Sequence, residues 1–229
     1  MNQIVTQGIV LSRTNYGEAD RIITMLTPDQ GKVRVIAKGV RKIKSKLAGG
    51  IELFSVSQIT YLPGKSDIKT MVSARLQKHY GNIVQNINRT MLGYELLKRM
   101  NRATEDATEP EYFTLMQAAL AGLDGPVSES LLELWFDAQL LKLAGYLPNL
   151  MTDVTDTRLS ADHLYTFDFD NMAFAQADQG LLTPAHIKFL RLVFGLEEPG
   201  PLGQVIDADK VAGPCAQLVS AMRHTFIRV

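Results

Sequence analysis

The strongest constraint on the fold is a change in the spacing of apolar residues near position 79. Before it, five short runs rich in Val, Ile, Thr and Tyr predict strands over 4–11, 21–26, 32–37, 54–62 and 68–76. After it, apolar residues recur every three or four positions, as they do along one face of a helix. The sequence therefore predicts an α+β protein with a β-domain over residues 1–78 and a helical domain over 79–229.

The five predicted strands favour a small closed barrel. Turn residues separate them at 15–17, 28–31 and 63–67, and no helical pattern interrupts them. Five strands within about 75 residues are typical of the OB-fold, a five-stranded barrel that binds oligonucleotides. An SH3-like barrel is the alternative on strand count. We predict the OB-fold.

Apolar stripes indicate which helix faces are buried. Ile83, Ile87, Met91 and Tyr94 follow one another at steps of four, four and three, which predicts one buried face of the first helix. The stretch 131–143 is apolar on nearly every side, which predicts a helix at the centre of a bundle.

Capping residues indicate where the other helices begin. Thr108, followed by Glu109-Pro110-Glu111, resembles a capping box, and Ser128 and Thr183 are predicted N-caps. Pro214 is predicted to open the last helix. Cys215 lies on that helix's apolar stripe and is predicted to be a small core residue without thiol chemistry.

The segment 146–180 lacks helical spacing. Residues 165–169 alternate as a strand does, Asp170 and Asn171 suit a turn, and Phe174 would lie on the partner strand. We predict a small hairpin excursion between two helices.

A basic loop lies between the third and fourth predicted strands. This run, residues 38–50, contains five cations within 38–46 and no acid, and it has glycines near both ends. A block of like charge repels itself unless an anion neutralises it, and glycine lets a backbone approach a ligand closely. This composition predicts contact with a polyphosphate backbone.

The formal net charge of zero conceals an asymmetry. Residues 1–80 contain 13 Lys and Arg against 5 Asp and Glu, a balance of +8, whereas residues 81–229 contain 11 against 19, a balance of −8. A basic part suits nucleic acid, and an acidic part suits packing and protein contacts.

Several protein classes are disfavoured. No apolar stretch approaches the roughly 20 residues that span a bilayer, and the N-terminus lacks a signal-peptide pattern. One cysteine excludes internal disulfides and multi-cysteine zinc sites. Phosphate-loop, dinucleotide, HExxH and GxSxG motifs are missing, so no catalytic residue is predicted. We expect a cytoplasmic protein that is not an enzyme.

Longer motifs make the chain similar to a known family. Residues 8–22, 31–41, 45–50, 52–54 and 143–148, in this order, resemble the RecO family of bacterial recombination mediators. The resemblance covers most of the chain. It implies an N-terminal OB-fold and a C-terminal helical domain, in a cytoplasmic protein associated with the nucleoid.

The resemblance also implies a function and partners. Members of the family bind single- and double-stranded DNA and anneal complementary strands. With RecR they help the recombinase RecA to replace single-stranded DNA-binding protein, whose acidic C-terminal tail is a further implied partner.

One feature of the family is missing. Many members carry a zinc knuckle of paired cysteines after the Gly-Tyr-x-Pro region, but residues 150–180 contain no cysteine and His163 is their only histidine. Zinc requires about four N or S ligands. We therefore expect no metal and no cofactor, and a hairpin held by Tyr165, Phe167, Phe169 and Phe174.

The predicted DNA contacts lie in and beside the basic loop. The loop contributes Lys38, Arg41, Lys42, Lys44 and Lys46. Lys32 and Arg34 on the preceding strand and Arg13 on the first strand are further candidates, and Tyr16 is a candidate for base stacking or for packing at the barrel rim.

An alternative function is a protein-interaction scaffold whose barrel docks acidic peptides. An acidic tail requires an apolar groove flanked by a cation. In the helical part, five residues could supply that cation: Arg99, Arg102, Lys142, Lys188 and Arg191.

Overall fold

The chain forms two compact units in a computed structural model. The structure describes residues 3–64, 66–104 and 109–227, except for the side chain of Asp209. The units comprise residues 1–125 and 126–229. The first unit contains two helices in addition to the barrel, so compactness groups these helices with the strands. The predicted boundary after residue 78, which marks the change from strands to helices, stays a prediction.

Five strands close the barrel of the first unit: β1 (Ile4–Tyr16), β2 (Asp20–Thr27), β3 (Gly31–Ala37), β4 (Ser55–Leu62) and β5 (Ile68–His79). Their order around the barrel is β1-β2-β3-β5-β4. β1 pairs with both β4 and β2, and a parallel seam of three residue pairs joins β3 to β5. The predicted OB-fold is confirmed, and the SH3-like alternative is wrong.

Alternating apolar residues build the barrel core. Val33 and Val35 point inward from β3 and pack with Ile23, Ile59 and Tyr61, as the period of two predicts. The first strand is longer than predicted. It continues through Tyr16, whose register partner on β2 is Asp20, and a bulge between Val10 and Ser12 shifts the register within this pairing.

Two helices complete the first unit, α1 (Ile87–Ala103) and α2 (Pro110–Asp124). The Asn86 side chain accepts hydrogen bonds from the backbone N–H groups of Asn88 and Arg89 and so caps α1. Pro110 occupies the first turn of α2, and the predicted cap Thr108 lies outside the described residues.

The predicted buried face of α1 is wrong. Ile83 is buried in the turn that precedes the helix, but Ile87, Met91 and Tyr94 are 72%, 59% and 48% exposed. The buried residues of α1 are Gly93, Leu96, Leu97 and Met100. The helix has two apolar stripes, and Gly93 selects between them because a Cβ there would lie 2.7 Å from the Phe54 ring.

Three helices dominate the second unit, α3 (Glu129–Leu143), α4 (Pro184–Gly195) and α5 (Ala208–Phe226). α3 follows Ser128 and is buried along most of its length, as predicted. A buried ion pair joins α3 to α5, with Arg223 Nε 2.8 Å from Asp137 Oδ2. The predicted start of the last helix at Pro214 is wrong, since α5 begins at Ala208. Pro214 lies inside α5, although an interior proline removes one hydrogen bond of the helix and its ring crowds the carbonyl group four residues earlier.

A small three-stranded sheet replaces the predicted simple hairpin: β6 (Asn149–Asp153), β7 (Tyr165–Asp168) and β8 (Ala173–Gln176). β7 and β8 pair antiparallel as predicted, and β6 adds a parallel edge. The aromatic core is also confirmed, because the Phe167 ring centroid lies 5.1 Å from that of Phe169 and 5.3 Å from that of Phe174. The edge-to-face geometry is the one that aromatic quadrupoles favour.

Candidate nucleic-acid interface

The basic loop, residues 38–50, is anchored to the barrel at both ends. Val40 is 4% exposed and belongs to the barrel core, and Leu47 packs against the same core. The loop closes with a short 3-10 turn over Ala48–Gly50. A Cβ on Gly50 would lie 2.5 Å from the Ala74 backbone of β5, so only glycine allows this approach. Gly50 thus allows the loop to approach β5, and the predicted approach of the loop backbone to a ligand stays a prediction.

Hydrogen bonds hold the loop beside the tip of the β1–β2 hairpin. The Arg41 backbone N–H donates to Ala19 O at 2.9 Å, and its Nη1 donates to Gly17 O at 3.3 Å. The Gly39 N–H donates to Asp20 Oδ1 at 2.7 Å. Gly17 and Gly39 have φ values of 55° and 64°, which glycine adopts without strain. The loop thus has a defined position although it is charged.

The loop cations face solvent. All five predicted loop contacts are exposed: Lys38, Arg41, Lys42, Lys44 and Lys46. Since the stretch 38–51 contains no acidic residue, the charges are not neutralised within the loop. Such a concentration of cations attracts an anionic polymer.

The other predicted cations occupy three different settings. Arg34 is exposed on β3 between Thr24 of β2 and Ile68 of β5, on the β2–β3 face with which OB-folds bind oligonucleotides. Lys32 is half-buried and its Nζ donates to Asn101 O of α1 at 2.8 Å. Arg13 donates to Ile51 O and forms an ion pair with Glu52 at 3.3 Å.

Tyr16 ends β1 opposite Asp20 and is 55% exposed. It lies next to Gly17, the acceptor of the Arg41 guanidinium hydrogen bond. Exposed aromatic rings can stack on bases, and the role of Tyr16 in base stacking stays a prediction.

The fold adds one candidate cation that the sequence analysis did not name, Arg75. This exposed residue of β5 follows Ala74, against which the end of the basic loop packs. Its register partner on β4 is Gln58. Alternation along the strand indicates that Arg75 faces outward, because it follows the inward-facing Ala74. The proximity of Arg75 to the basic loop is visible only in the fold.

The described residues hold no arrangement that suits a metal ion. Within residues 3–64, 66–104 and 109–227, no group of three or more His, Cys, Asp or Glu is placed to ligate one. His163 Nδ1 lies 3.1 Å from Gln176 Nε2 and has no cysteine partner in the hairpin. The zinc knuckle that the resemblance implies therefore does not fit this chain, and the absence of any cofactor stays a prediction.

Cys215 is buried, and its Sγ lies 3.5 Å from the carbonyl oxygen of His186. Burial raises the pKa of the Cys215 thiol to about 12, so the thiol is neutral at physiological pH. In the described part of the chain, no helix is both long and apolar enough to cross a bilayer.

A groove in the second unit combines apolar and basic residues. Its cavity of about 140 Å³ is lined by Leu159, Pro184, Ile187, Lys188 and Arg191, among others. Lys188 is exposed at its edge, and Arg191 Nε donates to Leu150 O at 2.8 Å.

The other predicted cations for an acidic tail are not part of this groove. Lys142 donates to Phe194 O at 3.1 Å. Arg99 and Arg102 lie on α1 of the first unit, where Arg99 is half-buried and Arg102 is exposed.

Two family models match the chain. Recombination protein O N terminal matches residues 1–80, and Recombination protein O C terminal matches residues 92–196. Together they include the barrel, most of α1, and the remaining elements through α4.

Curated relatives share the same name, DNA repair protein RecO. The chain is 34% identical to one from Dehalococcoides mccartyi over 146 residues, which are 63% of this chain and 57% of the relative. It is 31% identical to one from Desulfatibacillum aliphaticivorans over 154 residues, 66% of this chain and 60% of the relative. For one from Moorella thermoacetica the identity is 32% over 145 residues, 63% of this chain and 54% of the relative. The chain thus spans less than two thirds of the length of these relatives.

Proposed function

The chain belongs to the RecO family, and from this premise we propose that it acts in DNA repair as a recombination mediator without catalytic chemistry. In this proposal it binds single- and double-stranded DNA through the basic loop and anneals complementary strands. It would do so in the cytoplasm, at the nucleoid.

The observation that carries the proposal is the anchored basic loop. Five exposed cations lie on a segment whose ends pack against the barrel and whose backbone is bonded to the β1–β2 hairpin. Arg34 extends the positive charge onto the β2–β3 face. Arg75 adds a cation on β5.

The proposed mechanism is electrostatic. Each cation that neutralises a phosphate releases condensed counterions, which gives a log–log salt slope of about −0.7 per contact on a single strand. Neutralising the phosphates of two strands lowers their mutual repulsion and favours annealing. Contacts to phosphates carry no sequence information, so we expect little sequence preference.

The half-buried cations have a different proposed role. Lys32 and Arg13 contact the protein itself, and we expect each to contribute less to DNA affinity than a loop cation does. Through these contacts, Lys32 would hold α1 against the barrel and Arg13 would hold the residues that follow the loop.

Protein partners form the second part of the proposal. With RecR, the chain would assist RecA in replacing single-stranded DNA-binding protein on DNA. The groove at Leu159, Ile187 and Lys188 supports docking of that protein's acidic tail, because it offers an apolar floor and a cation at its edge.

Two charge-reversal variants test both parts. The loop variant is Arg41→Glu/Lys42→Glu/Lys44→Glu, and the matched variant is Arg158→Glu/Lys188→Glu/Lys210→Glu, which changes the net charge equally with exposed residues of the second unit. Fluorescence anisotropy measures a labelled single strand across a salt series and a labelled acidic peptide at one salt concentration.

We expect the two variants to lose different ligands. The loop variant should bind DNA weakly, with a salt slope shallower by about 2, and should keep the peptide. The matched variant should keep DNA and lose the peptide. Wild-type binding to DNA that is undetectable or independent of salt would contradict the mediator proposal and favour the scaffold, which docks peptides alone.

A further inference from the structure

Ile43 is the most exposed large apolar residue of the described chain, at 105% of its reference area. It lies in the middle of the basic loop, between the exposed Lys42 and Lys44. An isolated exposed apolar residue is common on protein surfaces. The position of this one, between two cations on an anchored loop, is what calls for an explanation.

The other two large apolar residues of the loop contact the barrel core. Val40 belongs to the barrel core, and Leu47 packs against it. The loop therefore reaches the core on both sides of Ile43, and Ile43 remains outside. Burial of an apolar side chain is favourable, so the burial of Ile43 remains available to stabilise a complex with a ligand.

Two consecutive turns hold Ile43 at the tip. The Lys42 N–H donates to Gly39 O at 3.1 Å, and the Ser45 N–H donates to Lys42 O at 3.0 Å. Ile43 is thus the second residue of a turn that is already closed. A pre-formed turn loses little conformational entropy when its tip contacts a ligand.

We propose that Ile43 inserts between adjacent bases of the DNA strand whose phosphates Lys42 and Lys44 neutralise, and that it unstacks these bases. The inference rests on the proposed DNA binding and adds a contact to the bases. Branched apolar side chains such as isoleucine unstack base steps in other DNA-binding proteins. Cations on both sides would hold the strand against the tip while the insertion occurs.

This insertion has a consequence for annealing. Bases that are separated from their neighbours expose their pairing edges to a second strand. The loop would then act on the strand in two ways, by lowering phosphate repulsion and by interrupting the stacking that keeps a single strand ordered.

The second unit provides a matched control residue. Ile206 is 90% exposed, and its sequence neighbours Val205 and Asp207 bring no cation next to it. Ile43→Ser and Ile206→Ser therefore remove the same side chain with nearly the same exposure, but only the first removes it from between two lysines.

The test uses the full chain and a single strand that contains 2-aminopurine, whose emission rises when it is unstacked. Anisotropy in the same samples measures binding. We expect wild type and Ile206→Ser to raise the emission at saturation. Ile43→Ser should bind about tenfold more weakly, with an unchanged salt slope, and should not raise the emission.

A second variant reports insertion directly. Trp135 is the chain's single tryptophan and is fully buried, so the indole of Ile43→Trp would be the one accessible to DNA. Stacking on bases should quench its emission when the strand is saturating.

The outcomes separate the two proposals. If wild type binds DNA with a steep salt slope but Ile43→Ser gives the same affinity and the same emission, the insertion is wrong and the DNA binding stands. Unquenched emission from Ile43→Trp at saturation would also overturn the insertion. If wild type does not bind, both proposals fail.

Discussion

His186 combines burial with a capping role at the start of α4. Its Nδ1 accepts a hydrogen bond from the Thr183 backbone N–H at 2.9 Å, while the Thr183 hydroxyl accepts from the His186 backbone N–H. Burial lowers the pKa of His186. Both the hydrogen bond and the burial favour the neutral ring, because a protonated Nδ1 cannot accept.

The stability of the protein should therefore fall as the medium becomes acidic. With the folded pKa below the unfolded value of about 6.5, the unfolded chain binds more protons, so this contribution is complete above pH 6.5 and is lost as the pH falls below it. We expect His186→Gln, which can still reach back to the cap, to show a shallower fall of Tm between pH 7.5 and 5. Thermal melts that fall equally in both proteins would contradict this role.

Single residues also show how far the site could be predicted. The exposure of Lys42 and Lys44 follows from composition, because a run of cations without acids cannot be buried. The contact of Lys32 with Asn101 joins residues 69 positions apart. No local sequence pattern indicates this contact, so the sequence alone could not distinguish the half-buried Lys32 from an exposed lysine such as Lys42.

At the scale of elements, the two adjacent glycines at the end of the basic loop, Gly49 and Gly50, differ in how closely other atoms approach them. A Cβ on Gly50 would lie 2.5 Å from the Ala74 backbone, whereas a Cβ on Gly49 would meet nothing within 4 Å. The 3-10 turn that contains both residues fixes the end of the loop against β5.

The two alanine substitutions should therefore differ. Gly50→Ala should lower the free energy of unfolding by about 1–3 kcal/mol, because a backbone contact cannot yield without a shift of the loop. Gly49→Ala should change it by less than about 0.5 kcal/mol. Urea denaturation measures both, and equal losses would show that the approach to β5 does not limit the turn.

Elements differ in how well sequence patterns predicted them. The five strands were predicted because alternation is local and turn residues mark its ends. The exposed face of α1 was not predicted, because the residues that pack against the helix decide which of its two apolar stripes is buried. The start of α5 at Ala208 was not predicted either, because the surrounding packing decides whether the helix tolerates Pro214. β6 was missed because its parallel partner, β8, is distant in sequence.

At the scale of the whole molecule, the charge is divided between the two units. Residues 1–125 carry 17 Lys and Arg against 11 Asp and Glu, a balance of +6, and residues 126–229 carry 7 against 13, a balance of −6. Molecules with zero net charge repel one another little. Oppositely charged units on different copies attract each other as well.

We therefore expect reversible self-association at low ionic strength. Light scattering should show it at about 0.01 M salt and should show its loss at about 0.3 M, where charges are screened within a few ångströms. The variant Arg41→Glu/Lys42→Glu/Lys44→Glu neutralises the first unit and should abolish the association. The matched variant Arg158→Glu/Lys188→Glu/Lys210→Glu should retain more of it at the same net charge. Association that is insensitive to salt would contradict an electrostatic origin.

The buried position of Cys215 has a practical consequence. A maleimide reacts with a thiolate, and this thiol is enclosed in the second unit with a pKa of about 12. A cysteine introduced at Ser45 of the basic loop would then be the one accessible thiol. The variant Ser45→Cys can therefore be labelled with a fluorophore at that single position while Cys215 is kept.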